Sequence, residues 1–337
     1  MKVPATISAL AVLLIGLVLA SMVMGRYPIA PGDIWGFFRQ SISDGVWLSP
    51  GQYQLLKNIF IDIRLPRIAA AVLIGASLSV SGASYQSMFI NPLVSPGILG
   101  VLAGASFGAA LGMIAFDSWM AVQVSTVSFG LAAVGAAMGM AAFYRGDRLL
   151  MLILGGIISG ALFTSLLSMV KYAADPYDEL PAIVYWLMGS LSMADGATLR
   201  TVALPMLAGI GMLFCFSGYL NITSMGDEEA RSLGVNVRRI RILFILVSTL
   251  ISAVTVALGG MIGWVGLVVP HMARMLVGPD NRVLLPTAAL MGAVYLLVVD
   301  DISRLILTVE IPIGILTSLV GIPFFALILR NAKKGWR

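Results

Sequence analysis

One histidine, one cysteine and sixteen carboxylates are the groups in this 337-residue chain that could carry acid–base, nucleophilic or metal chemistry. The carboxylates sit in loops or at the ends of apolar runs, whereas a proton- or sodium-coupled carrier needs one at mid-membrane. Such a placement costs about 2.5–3.5 kcal/mol on insertion scales and is kept only where it works. His271 has no His-Glu-x-x-His companion, so a zinc or serine peptidase within the membrane is also disfavoured. Cys215 lies in an apolar run, which excludes a disulfide framework or a cysteine metal cluster and reads as a small buried hydrophobe. No G-x-x-x-x-G-K-[S/T] loop is present, so nucleotide phosphates are not cradled in that way on this chain. What is left is charge at the ends of apolar runs. Arg64, Arg67 and Arg304 are one set, and Asp227, Glu228 and Glu229 ahead of Arg231 are another.

The elements that position these charges follow from composition. Hydrophobic residues make up 59% of the chain and charged residues 11%, with mean hydropathy +0.98; a soluble domain carries about 25% charged residues. Lipid is therefore the solvent. Continuous apolar runs such as Leu10 to Met24 exclude a barrel, whose strands alternate in polarity. A bilayer core about 30 Å thick asks for roughly 20 apolar residues per helix. Runs bounded by charge, Pro or Gly then give ten expected spans, near 5–24, 66–88, 97–116, 119–143, 149–171, 199–219, 239–258, 262–277, 286–300 and 312–330. The run from Ile7 to Met24 resembles a signal peptide but is expected to remain as the first span.

Ten spans put both termini on one side. Arg145, Arg148, Arg231, Arg238, Arg239, Arg241, Arg282, Lys333 and Lys334 all fall on that side, which the positive-inside rule places in the cytoplasm. This topology accounts for the net charge of +5 without invoking nucleic acid. Small-residue ladders, Gly104, Gly108 and Gly112, then Gly135 and Gly139, then Gly156 and Gly160, predict close helix packing. Ser77, Ser79, Ser81, Ser84 and Gln86 give the second span a polar stripe facing either a neighbouring helix or an aqueous path. Between the sixth and seventh spans, three acids followed by Ala230, Arg231, Leu233 and Gly234 predict a short helix with acids at its positive end and Gly at C-prime. A second helix is expected from near Asn236; by itself this pattern also suits an ordinary solvated loop. Asn91 before a proline predicts a turn after the second span.

Three stretches carry a resemblance: Arg64 to Arg67 running on through Gly82, Asn91, Leu93 and Gly97; Gly226 to Arg239; and Gly263 through Pro270, His271, Arg274, Gly278 and Arg282 to Glu310, Pro312 and Gly314. Their order and spacing resemble the FecCD family of permeases of type II ABC importers. The resemblance implies an all-α integral membrane protein, one permease domain over 1–337, with a cytoplasmic coupling loop at 221–241 and an outer loop at 26–65. It implies a homodimer or pseudo-dimer of ten-helix bundles with the path between them, two ATP-binding subunits inside carrying the ATP and Mg, and a substrate-binding protein outside. Gly226, Asp227, Glu228, Glu229, Ala230, Arg231, Leu233, Gly234, Arg238 and Arg239 then match the ATPase-coupling element. Asn91 and Leu93 match the cytoplasmic gate. Arg64, Arg67 and Arg304 match the docking face; pairing of these arginines with Asp62, Asp300 or Asp301 within the chain is the alternative. The Pro270–Arg274 signature is expected to be structural, with no metal or cofactor on this chain. Location in a bacterial inner membrane, and iron–siderophore or haem as cargo with cobalamin or a molybdate-type oxyanion as alternatives, follow from the family alone.

Overall fold

A backbone in lipid must satisfy its own hydrogen bonds, and among the described residues of this computed structural model only helices and turns occur. The structure describes residues 2–42, 45–143 and 148–332; Arg145, Lys333 and Lys334, used above to assign sidedness, lie outside them. In chain order the helices are α1 (Lys2–Val23), α2 (Pro31–Ile42), α3 (Pro50–Lys57), α4 (Leu65–Met88), α5 (Val101–Ala115), α6 (Trp119–Phe143), α7 (Arg148–Ala173) and α8 (Glu179–Leu187). They continue as α9 (Gly196–Cys215), α10 (Ser217–Thr223), α11 (Asp227–Ser232), α12 (Val237–Gly259), α13 (Val265–Val277), α14 (Asn281–Leu305) and α15 (Ile313–Ala332).

Each of the ten expected spans coincides with a helix: α1, α4, α5, α6, α7, α9, α12, α13, α14 and α15. Six of these, α1, α6, α7, α9, α12 and α14, are long and apolar enough to cross a membrane by composition alone. The ninth span is longer than charge-bounded counting predicts. It begins at Asn281 because the Asp280 side chain caps it, accepting from the Arg282 N–H at 3.0 Å. At its far end it continues through Asp300, Asp301 and Arg304, whose charges are neutralised by partners on other helices and on their own. Cys215 is exposed rather than buried. An apolar run in lipid need not face protein, and sequence cannot distinguish the two kinds of apolar surroundings.

The bundle is built around α4, buried along most of its length against α9, α12, α13 and α14. Two backbone contacts set how close its neighbours come. A Cβ on Gly75 would collide with the Gly292 carbonyl of α14, and one on Gly82 with the Gly266 carbonyl of α13. The polar stripe of α4 faces neighbouring helices: Ser81 lies 2.9 Å from Ser252 Oγ and donates to the Ser248 carbonyl at 3.0 Å, and Gln86 donates to the Leu267 carbonyl at 3.0 Å. Gly104 and Gly108 of α5 meet the backbone of α6, where Ser125 Oγ donates to the Gly108 carbonyl at 2.7 Å. Gly135 and Gly139 of α6 face open space instead, so the same spacing does not make the same contact.

The path of the chain breaks between α12 and α13, where Gly260 and Trp264 both adopt positive φ. There three helix ends share backbone bonds. Ser190 N–H donates to the Gly259 carbonyl at 3.0 Å, Ile313 N–H to Gly189 at 2.9 Å, and Gly314 N–H to Met188 at 3.1 Å. The backbone groups freed at this break are satisfied because protein supplies their partners.

Candidate functional site

Two ends of the bundle gather the residues singled out in the sequence. At the end where α1 stops and α4 begins, arginines from four segments converge. Arg67 reaches from the first turn of α4 to α14: its Nε donates to both Asp300 oxygens at 3.0 Å, and Nη2 donates to Oδ1 at 2.9 Å. The other edge of the same guanidinium grips Glu310, in the connection to α15, with two bonds of 2.9 Å. Planar, bidentate pairing on two sides is geometry a lysine could not supply. Arg304 donates to Asp301 at 2.5 Å, to Ser21 Oγ at 2.8 Å and to the Met24 carbonyl at 2.8 Å, tying α14 to α1. Arg64 donates to the carbonyls of Met22 at 2.6 Å and Val23 at 2.8 Å, the unpaired end of α1. Arg26 closes the ring by donating to the Arg304 and Leu307 carbonyls.

The rim borders a half-open cavity of about 200 Å³ whose lining combines Arg26, Arg64, Arg67, Asp300, Arg304 and Glu310 with apolar Ile59, Ile63 and Ile68. Arg64 and Arg304 are only 5% and 8% exposed. The alternative left open by sequence, pairing with acids within the chain, describes how Arg67 and Arg304 sit, with Asp300 and Asp301 as partners; Arg64 is held by backbone carbonyls instead, and the ion pairs found here do not involve Asp62. Glu310 was visible in the sequence only as part of a motif, and its role as the second anchor of Arg67 comes from the fold. Burial opposes its charge, but hydrogen bonds and charge from Arg67, with Arg26 and Arg304 nearby, hold its pKa below the usual glutamate value.

At the opposite end, α11 and the start of α12 form a helix–turn–helix. Gly226 enters it at φ +119°, and Asp227, Glu228 and Glu229 occupy the first turn of α11. Ala230 is buried. Gly234, at φ +77°, donates to the Arg231 carbonyl at 2.9 Å while Val235 donates to that of Ala230 at 3.0 Å, the paired bonds of a Schellman stop. Asn236 caps α12 by accepting from the Arg239 N–H, and Arg241 pairs with Asp227 at 2.7 Å, bracing one helix on the other. Leu233 is left 60% exposed at the tip, next to the solvent-facing Arg231, Arg238 and Arg239.

Near this end the turn after α4 is locked by Asn91, whose Oδ1 accepts from the Leu93 N–H at 2.9 Å. Both side chains are exposed. Beside it runs a relay that sequence did not signal, since its members lie far apart: Arg274 donates to Ser87, Ser87 to Asn281 at 2.6 Å, Asn281 to Asn221 at 2.8 Å, and Asn221 to Asp280 at 2.7 Å. The Asn221 amide and then the Arg282 N–H hold the Asp280 carboxyl below its ordinary pKa. Among the described residues, no group of three or more His, Cys, Asp or Glu side chains could hold a metal ion.

The profile of the FecCD transport family matches residues 13–331. The chain is 37% identical over 332 residues to the molybdate import system permease protein MolB of Haemophilus influenzae, covering 98% of this chain and 97% of that one. It is 36% identical to the hemin transport system permease protein HmuU of Yersinia pestis, over 96% and 95% of the two chains. A solved structure, described as an inward-facing conformation of a putative metal-chelate type ABC transporter, superposes with a TM-score of 0.87 at 36% identity, covering 97% of this chain and 99% of the other.

Proposed function

Since this chain belongs to the FecCD transport family and is an importer permease of that type, we propose that two copies of it form the path for a metal chelate, an iron–siderophore complex or haem. What supports the reading is that the likeness runs end to end and includes both the rim and the helix–turn–helix. The chain spans the membrane several times and is a transport component rather than an enzyme. ATP and Mg belong to two separate ATP-binding subunits on the cytoplasmic side, and cargo arrives on an external binding protein at a bacterial inner membrane. Both termini lie in the cytoplasm. The likeness to the molybdate permease is as extensive as that to the hemin permease, which makes a molybdate-type oxyanion the second reading, ahead of cobalamin. Uptake into proteoliposomes holding the permease, its ATPase and the binding protein encoded beside it decides between them. ATP-driven uptake of ferric siderophore or haemin is expected; uptake of molybdate alone would overturn the chelate reading and leave the permease intact.

The joint to the ATPase is the element from Gly226 to Arg239, with Leu233 as its apolar tip and Arg231, Arg238 and Arg239 around it. Burial of one such side chain in a partner's groove contributes about 1.5–3 kcal/mol, and each 1.4 kcal/mol is about tenfold in affinity. Leu233→Asp is expected to leave the bundle folded while ATPase co-purification and transport fall by about tenfold or more. Wild-type values for both would remove Leu233 from the joint. Asn91 and Leu93 form the inner gate. At the outer rim, docking through Arg64, Arg67 and Arg304 is an exchange reaction, in which carboxylates of the binding protein compete with Asp300, Asp301, Glu310 and the α1 carbonyls.

A further inference from the structure

The segment joining α1 to α4 carries an apolar face that nothing within the chain covers. α2 is sided: Gly36 and Phe37 pack inward on a small satellite core with Leu48, Leu56 and Phe60. On the outer side, Trp35, Phe38 and Ile42 recur at helical spacing and form one stripe, 69%, 47% and 87% exposed. Val46 and Trp47 extend the patch past the helix, because the Arg39 guanidinium lies 3.7 Å over the Trp47 ring and holds it against α2. Asp33 falls on the far side of the helix from this stripe.

We propose that α2 is an interfacial helix, and that Trp35, Phe38 and Ile42 sit in the lipid leaflet bordering the ends of α1 and α4. Three observations favour lipid over any protein as the occupant. The segment is tethered on both sides to membrane helices: α1 ends at Val23, and α3 continues without a break through a turn of wider helix (Asn58–Arg64) into α4. Its exposed aliphatics run on into the membrane surface, through Ile61, Ile63 and Leu65 on one side and Leu19 and Val23 of α1 on the other. The composition of the patch, tryptophans and a phenylalanine edged by a stacked arginine, is that of a helix lying in the headgroup region, where ring and cation meet both phases. Seated there, α2 and α3 hold the start of α4, and so Arg64 and Arg67, at a fixed height above the membrane.

The test uses the full chain with Cys215→Ser, in liposomes of phosphatidylethanolamine and phosphatidylglycerol. Nitroxides are attached at Phe38→Cys, at Ile42→Cys and, as an aqueous reference, at Glu228→Cys. Relaxation by oxygen relative to a water-soluble nickel chelate is expected to be about tenfold higher at 38 and 42 than at 228, with depths of about 5–10 Å below the phosphates. Equal access of the chelate to all three positions would overturn the proposal. So would shielding at 38 and 42 that is seen only when the binding protein is added, or strong coupling between labels on two permease copies. A second reading needs no cysteine: quenching of wild-type fluorescence by brominated acyl chains should drop in Trp35→Phe with Trp47→Phe, and an unchanged quench would count against lipid contact.

Discussion

Arg67→Ala is expected to destabilise the bundle by about 3–5 kcal/mol, the range for removing one partner of a buried ion pair. The reason is what stays behind: Asp300, fully buried on α14, loses its main hydrogen-bond partner and is left as a stranded buried polar group. Thermal unfolding of detergent-solubilised protein, followed by loss of monodispersity, measures the effect. Arg67→Ala combined with Asp300→Ala should lose less than the sum of the single changes, since the stranded carboxylate is then gone. Additive losses would mean that the pair does not couple. Glu310 adds a pH signature. Its pKa is held below its unfolded value of about 4.5, so its contribution is complete above that value and fades as pH falls through the lower, folded one. Glu310→Gln should flatten this acid limb and leave neutral-pH unfolding less affected than Arg67→Ala does.

Gly82→Val is expected to be damaging as well, because the new side chain meets backbone rather than a flexible neighbour. Its Cβ falls on the Gly266 carbonyl, so α4 and α13 must part or the chain must find another packing. Overpacking in a core costs typically about 1–3 kcal/mol and occasionally more where nothing can yield. Gly75→Val, against the Gly292 carbonyl, should behave alike. The control lies on α6: Gly139→Val enters open space and should express and unfold like the wild type. Similar losses at Gly82 and Gly139 would show that the close crossing of α4 and α13 is not what limits the fold.

These two glycines also show where sequence is informative and where it stops. GxxxG spacing occurs in α5 and in α6 alike, but whether a backbone stands opposite depends on helices elsewhere in the chain. The ten spans were legible because lipid demands long apolar runs, whatever the tertiary arrangement. The end of α14 was not, because Asp300, Asp301 and Arg304 look like a boundary until Arg67 and Ser21 are placed beside them. The turn at Gly226–Asn236 was legible in detail, since caps, acids and the C-prime glycine act over a few residues. At the rim the charges were visible and Asp300 and Asp301 stood as alternative partners, but Glu310 and the α1 carbonyls did not. The helix α3, hidden in the expected outer loop, had left a local trace in the capping box of Ser49 with Gln52.

The central place of α4 has a consequence for how the protein is made. Buried along most of its length, α4 presents its serines to protein rather than to lipid, and α13, with 13 residues, extends only about 20 Å against a core of about 30 Å. Both depend on neighbours for a stable place in the bilayer. For α4 the decisive neighbour is α14, and Asp300 lies 233 residues beyond Arg67. At about 5–20 residues per second, a ribosome needs on the order of ten to fifty seconds to supply that partner. Through this interval Arg67 and the glycine-lined face of α4 lack the partners that α14 supplies. The last third of the chain thus completes the packing of the first.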